Sequence, residues 1–275
     1  MKLTVLGSGT SVPDVLRGPA GLLIETPTCA VLVDGGSGTL QRCAAAGVDP
    51  RRLTAGVYSH RHPDHCADLV PLLFAMRVGP PPRAIDYPIW GAEGLSDLVA
   101  GLSSAWGRAI ELRGDATLRV NEIPRDGRQS RRLAPDLVLI TRPANHGAGA
   151  LHLRFESDGH ALVFSGDTGP SSELVRLASD SDLLVCECAG SDDDPVPGHL
   201  WPSAIAELVT EARPAAVWLT HMYPHVDPAR AVAAVAATGV PTRHASDLDV
   251  WSPGSADPSG VSRSSAQPPK RTHRQ

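Results

Sequence analysis

A chain of 275 residues with 42% hydrophobic and 20% charged content has the make-up of a soluble globular protein, with room for one large domain or two small ones. Its formal net charge of -5 gives no global reason to bind nucleic acid, although a local basic groove stays open. Five cysteines, odd in number and irregular in spacing, argue against a secreted disulfide scaffold and for reduced, mostly buried thiols in a cytoplasmic protein.

In chain order, residues 2–6 read as an opening strand whose apolar run is too short for a signal peptide. A Gly/Ser turn follows at Gly7-Ser8-Gly9-Thr10-Ser11. Gly21–Glu25 and Ala30–Val33 have the pattern of a hairpin joined through Thr26-Pro27-Thr28. Residues 39–46 have helical character and stop at Gly47. A helix over 67–76 is ended by Gly79 and three prolines, and a second is expected over 94–104. Strands are expected over 137–141, 151–156, 161–164, 183–187, 216–220 and 242–245. Helices over 171–178, 202–211 and 228–238 alternate with the later strands. No stretch approaches the length of a membrane span. From about Ser252 the chain is Ser, Pro, Gly and basic residues, which predicts a folded domain over 1–251 and a disordered basic tail over 252–275.

The densest chemical signal is His60-Arg61-His62-Pro63-Asp64-His65, directly after the strand-like Ala55–Tyr58. Imidazole nitrogen and carboxylate oxygen are ligands that suit zinc and its neighbours, so this turn reads as a metal-binding loop serving more than one ion. The same residue types recur beyond the ends of later strands, as His146, Asp167 and His221. Loops at strand ends converge and are held rigidly by the sheet. Five histidines and two aspartates in such places can fill the protein side of a two-metal site.

The His-x-His-x-Asp-His loop, the later His146, the Gly-Asp167-Thr turn and the Thr-His221 end resemble the metallo-β-lactamase-fold hydrolases in motif type and order. The resemblance runs from Lys2 to about Trp251. It implies an α/β protein built as a four-layer αββα sandwich, with metals at one rim. It also implies two divalent metal ions, zinc first, with manganese or iron compatible. His60, His62 and His146 would hold one ion, Asp64, His65 and His221 the other, and Asp167 would bridge them. The implied chemistry is hydrolysis by a metal-bridged hydroxide, which Asp64 would also orient. Asp34, in Val33-Asp34-Gly35-Gly36, would hydrogen-bond a ligand imidazole.

The opening Gly/Ser turn, the spacing to Arg17 and the segment around His199 look like the ribonuclease Z and phosphodiesterase branch. That likeness implies Glu187 and His199 as a pair handling the leaving group, and Arg17 as a substrate-binding residue. Only about twenty residues separate His146 from Asp167, enough for a hairpin and too few for the tRNA-gripping arm of ribonuclease Z. The expected substrate is therefore a small phosphodiester, such as a cyclic nucleotide or an oligonucleotide end. A homodimer is compatible with the resemblance. The metal ligands alone leave open an ester, lactone, thioester, sulfate-ester or β-lactam hydrolase, and a non-catalytic RNA-binding member. The arginine-rich stretch 125–132 reads equally as a phosphate contact or a solvated loop. His152, His160, His225, His244 and His273 read as ordinary polar residues. Pocket walls are expected from the loops 76–87 and 189–201.

Overall fold

The computed structural model describes residues 1–83, 85–147 and 149–254; most of the expected tail lies outside the described residues. Most strands are apolar on both faces, so each sheet must be covered twice. In Ala30–Val33 (β3), Val31 and Val33 point into the space between two sheets, while Leu32 points out toward helices. In Leu183–Glu187 (β11), Leu183 and Val185 point inward, and Leu184 and Cys186 point outward. The period-2 alternation of a strand thus divides the apolar residues into three layers of core. The result is the expected αββα sandwich.

The first sheet contains Lys2–Gly7 (β1), Gly21–Glu25 (β2), β3, Ala55–Tyr58 (β4), Tyr87–Ala92 (β5) and Leu118–Ile123 (β6). Val250–Trp251 (β14) closes its other edge, in the order β14-β1-β2-β3-β4-β5-β6. The second sheet contains Gln129–Ala134 (β7), Leu137–Pro143 (β8), Leu151–Ser157 (β9), His160–Phe164 (β10), β11, Val217–Thr220 (β12) and Thr242–His244 (β13). Its order is β13-β12-β11-β10-β9-β8-β7. Both sheets are mixed: β3 to β6 run parallel, as do β10 to β13, beside antiparallel neighbours. Thr39–Ala45 (α1), Pro63–Cys66 (α2), Leu69–Val78 (α3) and Leu95–Trp106 (α4) belong to the first half. Ser172–Ala178 (α5), Pro202–Ala212 (α6) and Pro228–Ala236 (α7) cover the second sheet.

Four strands depart from the sequence expectations. The β7 strand is an edge strand of polar and half-exposed residues, so it carries no apolar alternation. The β5 strand contains Pro88, which reads as a break, and β6 is largely polar. The two-residue β14 is too short to leave a pattern. The helix expected over 67–76 is α3, which starts two residues later, and a separate short helix, α2, precedes it across Ala67 and Asp68. Half of the arginine-rich stretch, residues 129–132, lies in β7, and Arg125 donates to the carbonyls of Ala144 and Ala150. Among the described residues no helix is long and apolar enough to cross a membrane. All five cysteines are free and buried.

Candidate active site

The parallel strands bring their carboxyl ends to one rim, and the candidate residues gather there. The β4 strand runs into Ser59 and His60. Pro63 holds the preceding His62 in extended backbone (φ -64, ψ 146), so His60 and His62 share a side while Arg61 points elsewhere. Pro63 then starts α2, which lifts Asp64 and His65 on one short turn. Asp167 sits in the turn after β10, where Gly166 has φ 56 and a Cβ would press on the Leu151 carbonyl at 3.0 Å. His221 follows β12, and its backbone N–H donates to the Ser8 carbonyl at 3.0 Å.

Seven sequence-predicted ligands meet in two sets. His60 Nε2 lies 2.9 Å from His62 Nδ1, which lies 3.2 Å from His146 Nε2. His221 Nε2 lies 3.3 Å from Asp64 Oδ2, and His65 Nε2 lies 3.9 Å from the same oxygen. Asp167 stands between the sets: Oδ2 is 3.6 Å from His60 Nε2, and Oδ1 is 3.3 Å from His65 Nε2 and 3.7 Å from His221 Nε2. Ligands about 2.0–2.1 Å from a tetrahedral zinc ion stand about 3.3 Å apart, so both spacings fit. Proton positions agree with such a use. The Nδ1–H of His65 donates to Asp34 at 2.7 Å, and that of His146 donates to the Gly198 carbonyl at 2.9 Å. Each therefore turns Nε2, the nitrogen left free for a metal, toward the cluster, and the His65 Nε2 is buried with no hydrogen-bond partner.

The electrostatics also call for a cation. Burial opposes a charge on His65, yet the carboxylates of Asp167 and Asp34 raise its pKa well above the usual value. Burial opposes ionisation of Asp167 too, but His221, His65 and His60 hold its carboxyl well below the usual range. Asp64 is raised by burial and lowered more strongly by its His221 hydrogen bond and by His65, reaching about 2. Burial and the charge of His65 push His60 down to about 2. Without metal, the carboxylates thus draw a proton onto His65; a divalent ion would supply that positive charge instead.

Beside the cluster, His199 Nδ1–H donates to Glu187 Oε1 at 3.0 Å. A ring nitrogen of His199 lies within 4.8 Å of Asp167 and His221 donor atoms. Glu187 is the last residue of β11, and the Thr168 N–H donates to it at 2.6 Å, which ties it to the Asp167 turn. Burial works against a charge on His199, but the Glu187 hydrogen bond and carboxylate raise its pKa.

The sequence matches the beta-lactamase superfamily domain over residues 30–222. The chain belongs to the metallo-β-lactamase superfamily. It is 32% identical over 206 residues to a ribonuclease Z of Mycobacterium bovis, covering 67% of this chain and 69% of that protein. The fold is similar to the metallo-β-lactamase fold protein YhfI from Bacillus subtilis, with TM-score 0.79, 22% identity and coverage of 91% and 99%. It is also similar to the short form of human tRNase Z, with TM-score 0.75, 20% identity and coverage of 92% and 99%.

Within this metallo-β-lactamase site, some expected residues serve other ends. Arg17 donates to Ser8 Oγ at 2.9 Å and to the Ala245 carbonyl, and lies 3.2 Å from His244 Nδ1. Its guanidinium is spent on in-chain partners, because it ties the turn after β1 to the segment after β13. The 76–87 loop does not wall the site. Arg83 anchors it to the carbonyls of Arg51 and Leu53, ahead of β4, at the opposite strand end from His60. The wall beside His60 and His146 comes instead from α4 and Arg61, in a pocket of about 590 Å³. Ser59 was also missed in the sequence: its N–H and Oγ–H both donate to Asp34 at 2.7 Å, and its Oγ lies 3.0 Å from His60 Nδ1. Its signal was its place, immediately before the first ligand. His152 is fully buried, donating from Nδ1 to the Ser165 carbonyl at 2.6 Å and accepting at Nε2 from Ser171 Oγ at 3.0 Å. It clamps both ends of the Asp167 turn.

Proposed function

We propose that this protein is a phosphodiesterase that uses two divalent metal ions, zinc by the chemistry of its donors, to hydrolyse a small phosphodiester or an RNA end. The observation that carries the reading is Asp167, whose two oxygens face two separate ligand sets. His60, His62 and His146 would hold one ion and Asp64, His65 and His221 the other, with Asp167 shared. Such a pair of ions supplies an acidified water and polarises the phosphoryl oxygen. Asp64, with its low pKa, accepts a hydrogen bond from the attacking water and orients it. Asp34 and Ser59 fix the tautomers of His65 and His60. His199 donates its proton to the departing oxygen, and Glu187 keeps that imidazole charged and oriented.

A phosphodiester is favoured over a carboxylic ester because its anionic group, unlike a neutral ester, is attracted by a charged His199 beside the cluster. A relative named ribonuclease Z supports phosphodiester chemistry as well. Among the described residues, the stretch between His146 and Asp167 holds only the β9–β10 hairpin, turned at Asp158 and Gly159, and its length of about twenty residues leaves no place for a tRNA-gripping arm. The test is turnover of bis-p-nitrophenyl phosphate by metal-replete protein. It should fall at least a thousandfold in Asp167→Ala, with metal content reduced. Absence of turnover across a panel of phosphodiesters, or faster turnover of carboxylic esters, would sink the proposal.

A further inference from the structure

The pocket of about 590 Å³ opens beside His60, His62 and His146, and its far wall is one face of α4. Asp97 and Leu98 on one turn and Gly101 and Leu102, each four residues further on, lie on adjoining turns of one face. Gly101 needs an explanation. It sits inside a helix, where glycine is among the poorest formers, and a Cβ built on it would meet nothing within 4 Å. Neither packing nor backbone shape demands glycine there. What its missing side chain provides is depth in the pocket, between Leu98 and Leu102.

The other rim carries Arg61, whose guanidinium donates to the Gly94 carbonyl at 3.3 Å. Arg61 and Asp97 set opposite charges around an apolar floor. That suits a flat, uncharged ring: the leucines contact its edge, the guanidinium plane stacks on its face, and the carboxylate accepts from a ring N–H. A second phosphate would meet Asp97 instead. The pocket is lined by His60, His62 and His146 and not by His199 or Glu187, so it lies away from the proposed leaving-group acid.

We propose that this α4 pocket is the subsite for the substituent that stays on phosphorus, and that it takes a nucleobase-sized heteroaromatic ring. The inference rests on the phosphodiesterase reading and narrows it to substrates that release a nucleoside monophosphate.

Two diesters with the same leaving group separate the two ideas: the p-nitrophenyl ester of thymidine 5'-monophosphate and methyl p-nitrophenyl phosphate. Metal-replete wild type should prefer the thymidine diester at least tenfold in kcat/KM. Gly101→Phe, which fills the pocket, should cut that ratio at least tenfold. Asp97→Ala, at an exposed position, should cut it severalfold and weaken inhibition by thymidine 5'-monophosphate by the same factor. A melting temperature at or above that of wild type shows that Gly101→Phe is folded; if it is not, Asp97→Ala decides. Turnover of both diesters with a ratio indifferent to these changes overturns the subsite and leaves the phosphodiesterase reading intact. Turnover of neither diester overturns both.

Discussion

Replacing Asp34 by Asn tests how the proposed metal cluster is held. Asp34 is fully buried and accepts three hydrogen bonds of 2.7 Å: from Ser59 N–H at Oδ1, and from Ser59 Oγ–H and His65 Nδ1–H at Oδ2. Its φ of 54 lies in the left-handed region, which Asn tolerates as well as Asp, so the change leaves the backbone unstrained. An amide has only one acceptor oxygen. If that oxygen takes the Oδ1 place, the NH2 faces His65 Nδ1, and His65 must move its proton to Nε2, the nitrogen a metal needs. If the oxygen takes the Oδ2 place, the NH2 opposes a buried backbone N–H, at a cost of about 1–3 kcal/mol. We predict a 10–100-fold loss of affinity at the Asp64, His65 and His221 set, about 1.4–2.7 kcal/mol. The metal-free protein should lose about 1.5–3 kcal/mol of stability as charge-assisted bonds disappear. Zinc titration against a competing chelator should resolve one equivalent near wild-type affinity and one weakened; urea unfolding reads the stability. Two unchanged equivalents would refute the reasoning that Asp34 sets the tautomer of His65.

Three further outcomes follow from the same geometry. Glu187 raises the pKa of His199, so activity that needs the His199 proton should persist above the usual pH 6.5 and fall as pH rises through the raised value. Glu187→Gln should move that alkaline fall to lower pH in a kcat profile, and an unmoved limb counts against the proton-donor role. Burial lowers the pKa of His152 to about 4, below its usual 6.5. A histidine kept neutral in this way contributes stability that is complete above pH 6.5 and is lost as pH falls toward 4. Urea unfolding of metal-free protein should show about 2–3 kcal/mol more loss between pH 7 and 4.5 in wild type than in His152→Gln; equal slopes would refute it. A Cβ at Gly36 would lie 2.2 Å from the Asp64 carbonyl and 2.5 Å from Pro19 Cβ. Gly36→Ala should therefore displace the Asp64 turn, lower the melting temperature by several degrees and weaken metal binding, and a variant with wild-type zinc affinity would show that the turn yields without consequence.

The candidate ligands were legible because chemistry fixed both their types and their places: each stands just past a strand whose apolar run was readable. The same logic recovered the hairpin Gly21–Glu25 with Ala30–Val33 and the strand Leu183–Glu187 at their bounds. Polar edges were not legible, because residues 129–134 satisfy their pairing with backbone rather than apolar side chains. Pocket walls were not legible either. Which face of α4 meets His60 depends on how the helix lies across the sheet, and no periodicity in its sequence carries that. Arg17 shows the opposite case: a guanidinium near a motif suggests substrate until the Ser8 hydroxyl and the Ala245 carbonyl that occupy it are seen.

Backbone hydrogen bonds explain how a strained residue can serve as a proposed ligand. His221 has φ 55, a conformation that costs a non-glycine residue about 1–2 kcal/mol, and so does Asp34 with φ 54. Asp34 is held by its N–H to the Val57 carbonyl at 2.8 Å, and His221 by its N–H to the Ser8 carbonyl at 3.0 Å. Ser8 is in turn fixed by Asp247, which accepts its N–H and its Oγ–H at 2.8 Å, takes the Gly18 N–H at 2.9 Å, and pairs with Arg42. Arg17 adds its bonds to Ser8 and to the Ala245 carbonyl of the same segment. The support of His221 thus includes Ser8 and Arg17, more than 200 positions away in the chain, joined only when β1 lies beside the end of β12. Cutting that support at Asp247 should loosen His221 without removing any proposed ligand side chain, which distinguishes a site organised by its frame from one organised by a bound metal.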